Sequence, residues 1–246
     1  MENKLQFPTE VIDLPSKGLL YPEDSPLSSG KVEMKYMTAR EEDILTNVNY
    51  LEQGIVIDKL LESLVVSKID HNELLIGDKN ALLIAARVLG YGKDYEIEYL
   101  GQPYTVDLSE LKLKELDESL FEKGKNEFEF TLPTTNTKIK FKLLTQGDET
   151  KINEELKGLQ KIDRNASYEN TTRLKHMILS VDGDTDNGKI RQFVDNYFLA
   201  RDSRVFRAYA VSIQPDVDLT FYPEGGPEGG VDIPIGINFL WPDAGI

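Results

Sequence analysis

The stretch Val32–Leu45 reads VEMKYMTAREEDIL, and the stretch Ile139–Ile152 reads IKFKLLTQGDETKI. In each, apolar and polar residues alternate up to a threonine, Thr38 or Thr145, and acidic residues follow. Alternation with a period of two places the apolar side chains on one face of a β-strand. A threonine followed three and four residues later by carboxylates is typical of a helix N-terminus, because the hydroxyl caps a free amide and the carboxylates lie at the positive end of the helix dipole. Each stretch therefore predicts a strand, a threonine N-cap and a helix.

A second pattern also occurs twice: an aspartate, an apolar helix and a hairpin. Residues 79–89 follow Asp78 and residues 203–213 follow Asp202, and both aspartates are predicted to be helix N-caps. Strand-like segments come after both helices, at Asp94–Tyr99, Tyr104–Leu108, Asp216–Tyr222 and Val231–Ile235. We therefore predict an α+β protein of two related domains, each with a strand or hairpin, two or three helices and a closing β-hairpin. This organisation is an internal duplication, and coincidence of short strand–helix patterns is the alternative.

The predicted organisation has four parts. They are an N-terminal arm (1–30), a first α+β domain (31–111), a linker helix (112–126), and a second α+β domain with an aromatic C-terminal tail (127–246). Apolar spacing near 3.6 residues also predicts helices over residues 53–66, 173–181 and 189–199.

The composition restricts the class of protein. The chain has 246 residues, of which 40% are hydrophobic, and this length suits one large or two small domains. The net charge is −15, with an acidic excess in both halves, so neither nucleic acid nor a membrane is an expected partner. The absence of cysteine excludes disulfides, thiolate zinc sites and cysteine nucleophiles. With no membrane-spanning run and no signal-peptide pattern, the sequence predicts a soluble protein made in a cytoplasm.

No arrangement of residues in the sequence indicates catalysis. His71 and His176 have no neighbouring pattern typical of a catalytic triad or a metal site. Asp182–Gly188 begins like an EF-hand loop, but Asn187 and Phe193 occupy the sixth and twelfth positions, where the loop needs Gly and Glu. We interpret it as an acidic solvated turn, with weak calcium binding as the alternative. The sequence therefore predicts no catalytic residues, no cofactor and no metal.

Two apolar segments near the chain ends are candidates for binding a partner protein. Aromatic side chains contribute much of the binding energy at protein interfaces. Core packing is the alternative for both segments: the arm would pack on the first domain, and the tail would fill the core of its own domain. The candidate partner-binding residues are Leu19, Leu20, Tyr21, Phe239, Leu240 and Trp241.

Four segments together resemble the baseplate hub assembly proteins of T-even-type bacteriophages. They are LPSKG with YP in Leu14–Pro22, EMKYMT in Glu33–Thr38, GDKNA with GYG in Gly77–Gly92, and FLWPD in Phe239–Asp243. The resemblance is spread over nearly the full chain, and its motifs are structural. It implies a non-enzymatic tail protein that builds or forms the central hub of the contractile-tail baseplate. The implied partners are other hub and tail proteins, with the tape-measure protein as a further candidate, and the implied location is the host cytoplasm during assembly and then the virion.

Two other functions remain open from the sequence. The protein could be a transient assembly chaperone for a hub or tape-measure protein, absent from the virion. It could also be a tail-associated cell-wall hydrolase that uses a carboxylate pair among its 43 acidic residues.

Overall fold

The computed structural model describes residues 8–163, 167–224 and 226–242, and over these residues helices alternate with short antiparallel strands. The first half contains β1 (Thr9–Asp13), β2 (Lys31–Lys35), α1 (Ala39–Leu45), α2 (Val48–Gln53), α3 (Val56–Leu64), α4 (Ile76–Tyr91), β3 (Asp94–Tyr99) and β4 (Gln102–Asp107). The second half contains β5 (Phe128–Thr131), β6 (Lys138–Phe141), α5 (Gln146–Ile162), α6 (Glu169–Met177), β7 (Ile178–Val181), α7 (Asn187–Asn196), α8 (Ala200–Ile213), β8 (Thr220–Phe221), β9 (Val231–Asp232) and α9 (Ile237–Leu240). The predicted α+β class is confirmed.

The strands form small sheets of neighbours in sequence. β1 pairs with β2, β3 with β4, and β8 with β9, while β5, β6 and β7 form a three-stranded sheet in that order. Buried apolar residues from Leu14 to Leu240 make one hydrophobic cluster that includes both halves of the chain. The core is therefore shared between the two predicted domains.

Four predicted segments differ in the structure. The linker helix over residues 112–126 is wrong: the segment contains only the 3₁₀ turn Glu118–Leu120, and Leu113 instead pairs in a β-bridge with Val217. The helix over residues 173–181 is wrong in its last four residues, which form β7 because Ile178 and Ser180 alternate into the core against β6. The long strand predicted at 216–222 is reduced to β8. Residues 9–13 of the predicted arm form β1 and belong to the first hairpin.

The two threonine N-caps are confirmed. The Glu41 carboxylate accepts hydrogen bonds from the Thr38 amide at 2.9 Å and the Thr38 hydroxyl at 2.6 Å, and Asp148 accepts from the Thr145 amide at 3.1 Å. A lysine bonds each carboxylate as well: Lys35 lies 2.8 Å from Glu41, and Lys142 lies 2.6 Å from Asp148. The two stretches that define the fold thus contain the same set of contacts.

The predicted N-caps of the two apolar helices are wrong. Helix α4 begins after Leu75 and α8 after Leu199, so that Asp78 and Asp202 lie at the third helical position. Both aspartates are buried and accept hydrogen bonds from a hairpin loop rather than from their own helix. The donors are distant in sequence, so the local pattern does not reveal them, and an aspartate at the start of an apolar helix resembles an N-cap.

Glycine is required where the C-terminal part of the chain crosses α4. A Cβ atom at Gly77 would lie 1.7 Å from the Pro215 carbonyl oxygen, so only glycine permits this contact. At Gly158, within α5, an added Cβ would meet nothing within 4 Å. Both glycines are helical, but Gly77 in the first turn of α4 is closely packed, whereas Gly158 in the interior of α5 is not.

We expect Gly77→Ala to lower the free energy of unfolding by about 2 kcal/mol or more, because the methyl group displaces residues 215–216 from α4. Gly158→Ala is the matched control and should raise it by about 0.5–1 kcal/mol, since alanine has the higher helix propensity. Urea denaturation of both variants measures the difference. Equal effects of the two substitutions would contradict the close packing at Gly77.

Ionisation of the Glu41 carboxylate makes the stability of the fold depend on pH. Burial opposes its ionisation, but hydrogen bonds from Lys35, Thr38 and Ser63 outweigh burial and lower its pKa from 4.5 to about 2. A carboxyl group with a lower pKa in the folded state stabilises the fold above its unfolded pKa, and this stability is lost as the pH falls through the folded pKa.

We therefore expect the stability of the wild type to fall between about pH 4.5 and pH 2 more steeply than that of Glu41→Gln, which lacks this titration. Thermal melts across this pH range give the difference between the two proteins, and Glu23→Gln, at an exposed glutamate, is the control. Parallel pH profiles for the wild type and Glu41→Gln would refute the assignment.

Candidate partner-binding surfaces

The predicted arm is held to the fold by the buried carboxylate of Asp78. The Ser16 amide donates to Asp78 Oδ1 at 2.9 Å, and the hydroxyls of Ser16 and Tyr21 donate to Oδ2, each at 2.6 Å. The Leu75 amide in turn donates to the Tyr21 hydroxyl oxygen at 2.9 Å. The loop between β1 and β2 is thereby joined to the N-terminus of α4.

The electrostatics of this network follow from its burial. Burial raises the pKa of Asp78 above its ordinary value, against the effect of the hydrogen bonds from Ser16 and Tyr21. Burial, together with the negative charge of Asp78, raises the pKa of the Tyr21 hydroxyl far above its usual range. Tyr21 therefore remains a hydrogen-bond donor, and the network has no free group that could serve as a nucleophile.

The three arm candidates differ in accessibility. Leu20 and Tyr21 are buried, at 2% and 4% exposure, whereas Leu19 is half-buried. Leu20 and Tyr21 line a cleft of about 340 Å³ together with Lys142 and Asp148 of the second half. The arm thus joins the two halves, and its partner-binding role stays a prediction.

The tail candidates lie at the other end of α4. Phe239 and Leu240 are buried, at 1% and 0% exposure, and the Phe239 ring contacts Tyr95 edge-on at a centroid distance of 5.0 Å. Trp241 is half-buried. Tyr95 belongs to β3, so Phe239 fills the core of the first half rather than that of the predicted second domain.

The arm and tail candidates are not brought together. Tyr21 is bonded to Asp78 in the first turn of α4, whereas Asn238 and Pro242 line a cavity of about 610 Å³ with Arg87 near the end of that helix. Asp78 and Arg87 are about 14 Å apart along the helix, at about 1.5 Å per residue. The six predicted residues therefore do not form a single surface.

Polar groups considered for chemistry have structural partners. His176 Nε2 lies 3.1 Å from Glu155, which also binds Arg191. In the acidic turn, Asp182 accepts from the Lys138 amide, and Asp186 caps α7. Within the part of the chain that the structure describes, no group of three or more His, Cys, Asp or Glu side chains is placed to hold a metal ion.

Two exposed apolar side chains, those of Leu100 and Val211, are not among the residues predicted from the sequence to bind a partner. Leu100 is 83% exposed at the tip of the β3–β4 hairpin, and Val211 is 60% exposed on α8. The sequence does contain an indication for Leu100, because a leucine directly before Gly101 in a hairpin turn is unusual. The sequence contains no such indication for Val211, because its exposure depends on which side of α8 packs against the core.

Comparison with known protein families matches the chain to the family described as T4 bacteriophage base plate protein, over residues 11–181. The chain belongs to this family. The resemblance seen in the sequence is thereby confirmed at the level of a phage base plate protein. A search of curated proteins finds no match. A search of solved structures finds none either.

The matched region of this base plate family protein includes Asp78 with its hydrogen-bond donors Ser16 and Tyr21, which we call the arm anchor, and all elements from β2 to β7. Residues 182–242, with α8 and the tail, lie outside it. None of the described helices is long and apolar enough to cross a membrane.

Removal of the Asp78 carboxylate tests the arm anchor. We expect Asp78→Ala to lower the free energy of unfolding by about 3 kcal/mol or more, because buried donors of Ser16 and Tyr21 lose their acceptor. Chemical denaturation measures the loss. The control Asp43→Ala removes an exposed carboxylate and should change stability by no more than about 0.5 kcal/mol. A loss of only about 1 kcal/mol for Asp78→Ala would match a simple helix cap instead.

Proposed function

We propose that the protein is a non-enzymatic component that builds or forms the central hub of the contractile-tail baseplate through protein–protein contacts. Membership of the base plate family is the observation that carries this proposal. The proposed partners are other hub and tail proteins, including the tape-measure protein, rather than nucleic acid or membranes. The protein would be present in the host cytoplasm during assembly and then in the tail baseplate of the virion.

The use of the buried acids supports a structural role. Glu41 and Asp148 bind lysines at helix starts, Asp78 and Asp202 bind hairpin loops, and Asp216 accepts from Asn80 and the Val217 amide. Each buried carboxylate thus fixes one part of the fold to another.

A cell-wall hydrolase is the less favoured function. Such an enzyme needs a carboxyl group of raised pKa that reaches substrate in a cleft. Among the described residues, the carboxyl group whose pKa is resolved as raised is that of Asp78, which is buried in hydrogen bonds to Ser16 and Tyr21. This carboxyl group has no access to a polysaccharide.

We also propose that the two halves arose by duplication of one unit. In both halves a hairpin leads to a threonine cap whose acidic partner binds the lysine six residues before it, at Lys35–Glu41 and Lys142–Asp148. In both halves the third residue of a later helix is a buried aspartate that binds the loop of the preceding hairpin, at Asp78 and Asp202. Four shared positions, the lysine, the threonine cap, its acidic partner and the later buried aspartate, support this proposal.

Analysis of purified phage particles tests the hub proposal. We expect the chain in the particle in a fixed ratio to other baseplate proteins, measured by quantitative mass spectrometry. Presence only in the lysate would indicate the transient chaperone, and cell-wall lysis by the purified protein would overturn both.

Pull-down of co-expressed tail proteins tests the tail segment within the same proposal. Phe239→Ala should lower the free energy of unfolding by about 3 kcal/mol or more, since its ring is buried against Tyr95. Trp241→Ala is the informative variant because Trp241 is only half-buried. Loss of capture with little change in melting temperature would support an anchor at Trp241; unchanged capture would assign the tail to the core.

A further inference from the structure

Helix α8 exposes a face that combines arginine with small apolar side chains. Arg201, Arg204, Val205, Ala208 and Val211 recur at intervals of three and four residues, which places them on one side of the helix. All five are exposed, with Val205 at 42% and Val211 at 60%. We call these five residues the α8 face.

The corresponding face of α4 is covered by an acidic segment of the chain. Gly77 and Asn80 hold the second and fifth positions of α4, as Arg201 and Arg204 do in α8. Gly77 packs against the Pro215 carbonyl, and the Asn80 amide donates to the Asp216 carboxylate at 3.1 Å. In α8 the same two positions are the exposed cations Arg201 and Arg204, so a protein segment that covers this face would need carboxylates.

The β3–β4 hairpin has the complementary chemistry. Asp94, Glu96 and Glu98 are exposed and alternate with half-buried residues that face the core. At the tip, Leu100 has φ 51° and is 83% exposed. Positive φ is uncommon for leucine, and Asn is the favoured residue before Gly in such a turn. The chain therefore keeps an exposed leucine at a position where the backbone favours a polar residue.

We propose that the β3–β4 hairpin of one copy of this chain docks on the α8 face of a second copy. Leu100 would occupy the groove of about 550 Å³ that Val211 and Leu113 line beside α8. Leu100 and Glu96 are about 13 Å apart along a strand at about 3.3 Å per residue. Val211 lies about 10 Å from Arg204 and about 15 Å from Arg201 at 1.5 Å per residue. With Leu100 in the groove, Glu96 therefore lies within reach of both arginines.

The contact joins two different surfaces, so each copy keeps one free hairpin and one free α8 face. A head-to-tail contact of this type builds a ring when its rotation closes. The net charge of −15 repels two copies at a distance. At physiological ionic strength that repulsion is screened beyond about 8 Å, so that the complementary charges at the contact prevail. The inference goes beyond the proposed hub function and does not rest on it, because it is measured on the isolated chain.

Sedimentation velocity over a concentration series tests the proposal. We expect the wild type to self-associate, and the double variant Arg201→Glu/Arg204→Glu to raise the dissociation constant by about tenfold or more, because attractive pairs become repulsive. The variant Glu96→Arg/Glu98→Arg should do the same. An equimolar mixture of the two variants should recover association, since each supplies the charge that the other lacks. Arg40→Glu, at an exposed arginine of α1, is the matched control and should leave association unchanged.

Leu100→Asn separates docking from folding. Asn-Gly suits the turn, so this variant should melt no lower than the wild type while its self-association weakens. A wild type that is monomeric at every concentration would overturn the proposal, as would undiminished association of the Arg201→Glu/Arg204→Glu variant or of Leu100→Asn. If the wild type is monomeric and the arginine variant loses capture of hub proteins, the α8 face belongs to a different partner.

Discussion

A carboxylate without access to solvent, that of Asp78, determines how the first half of the chain is arranged. Burying a carboxylate is costly unless donors surround it, and here three hydrogen bonds from Ser16 and Tyr21, together with the N-terminus of α4, offset part of that cost. The donors precede the acceptor by 57 to 62 residues, so α4 reaches its stable state only when the loop between β1 and β2 is in place. Leu14 and Leu20 are buried together with this loop. We therefore expect α4 and the loop between β1 and β2 to form as one cooperative unit.

Asp202 binds a hairpin loop to a helix in the second half as Asp78 does in the first, but its pKa shifts in the opposite direction. Burial raises its pKa, but hydrogen bonds from Thr134 and Thr135 outweigh burial, and the pKa lies below its ordinary value. Two of those hydrogen bonds come from backbone amides, whereas hydroxyl groups supply two of the three to Asp78. Backbone amides cannot accept a proton or turn away, so the loop between β5 and β6 stabilises the ionised form. The same geometry thus holds each hairpin against its helix, although the pKa is raised for Asp78 and lowered for Asp202.

The sequence predicted the parts of the fold that depend on neighbours within a few residues. Thr38 and Thr145 were identified as N-caps because the carboxylate that binds each lies three residues later. Asp78 was misassigned because its partners are distant, and the leucines of residues 112–126 suggested a helix although Leu113 pairs with Val217 across the molecule. Prediction of the partner-binding residues is limited in the same way by contacts that are distant in sequence. An apolar side chain near a chain end can face a partner or its own core, and Phe239 faces Tyr95. Only long-range packing decides between these outcomes.

The two halves differ at one face of α4 and α8, which is covered in α4 and exposed in α8. Residues 215–216 lie against Gly77 of α4, and glycine there allows the backbone of the covering segment to approach. An arginine at the matching position of α8 would exclude such a close cover and instead requires one that brings negative charge. The second position of each helix therefore marks a difference between the two halves: Gly77 makes an internal contact, whereas Arg201 is part of an exposed cationic face. Since the buried carboxylates are engaged in holding the fold, exposed features of this kind, the α8 face and the Leu100 hairpin, are where contacts with other chains can form.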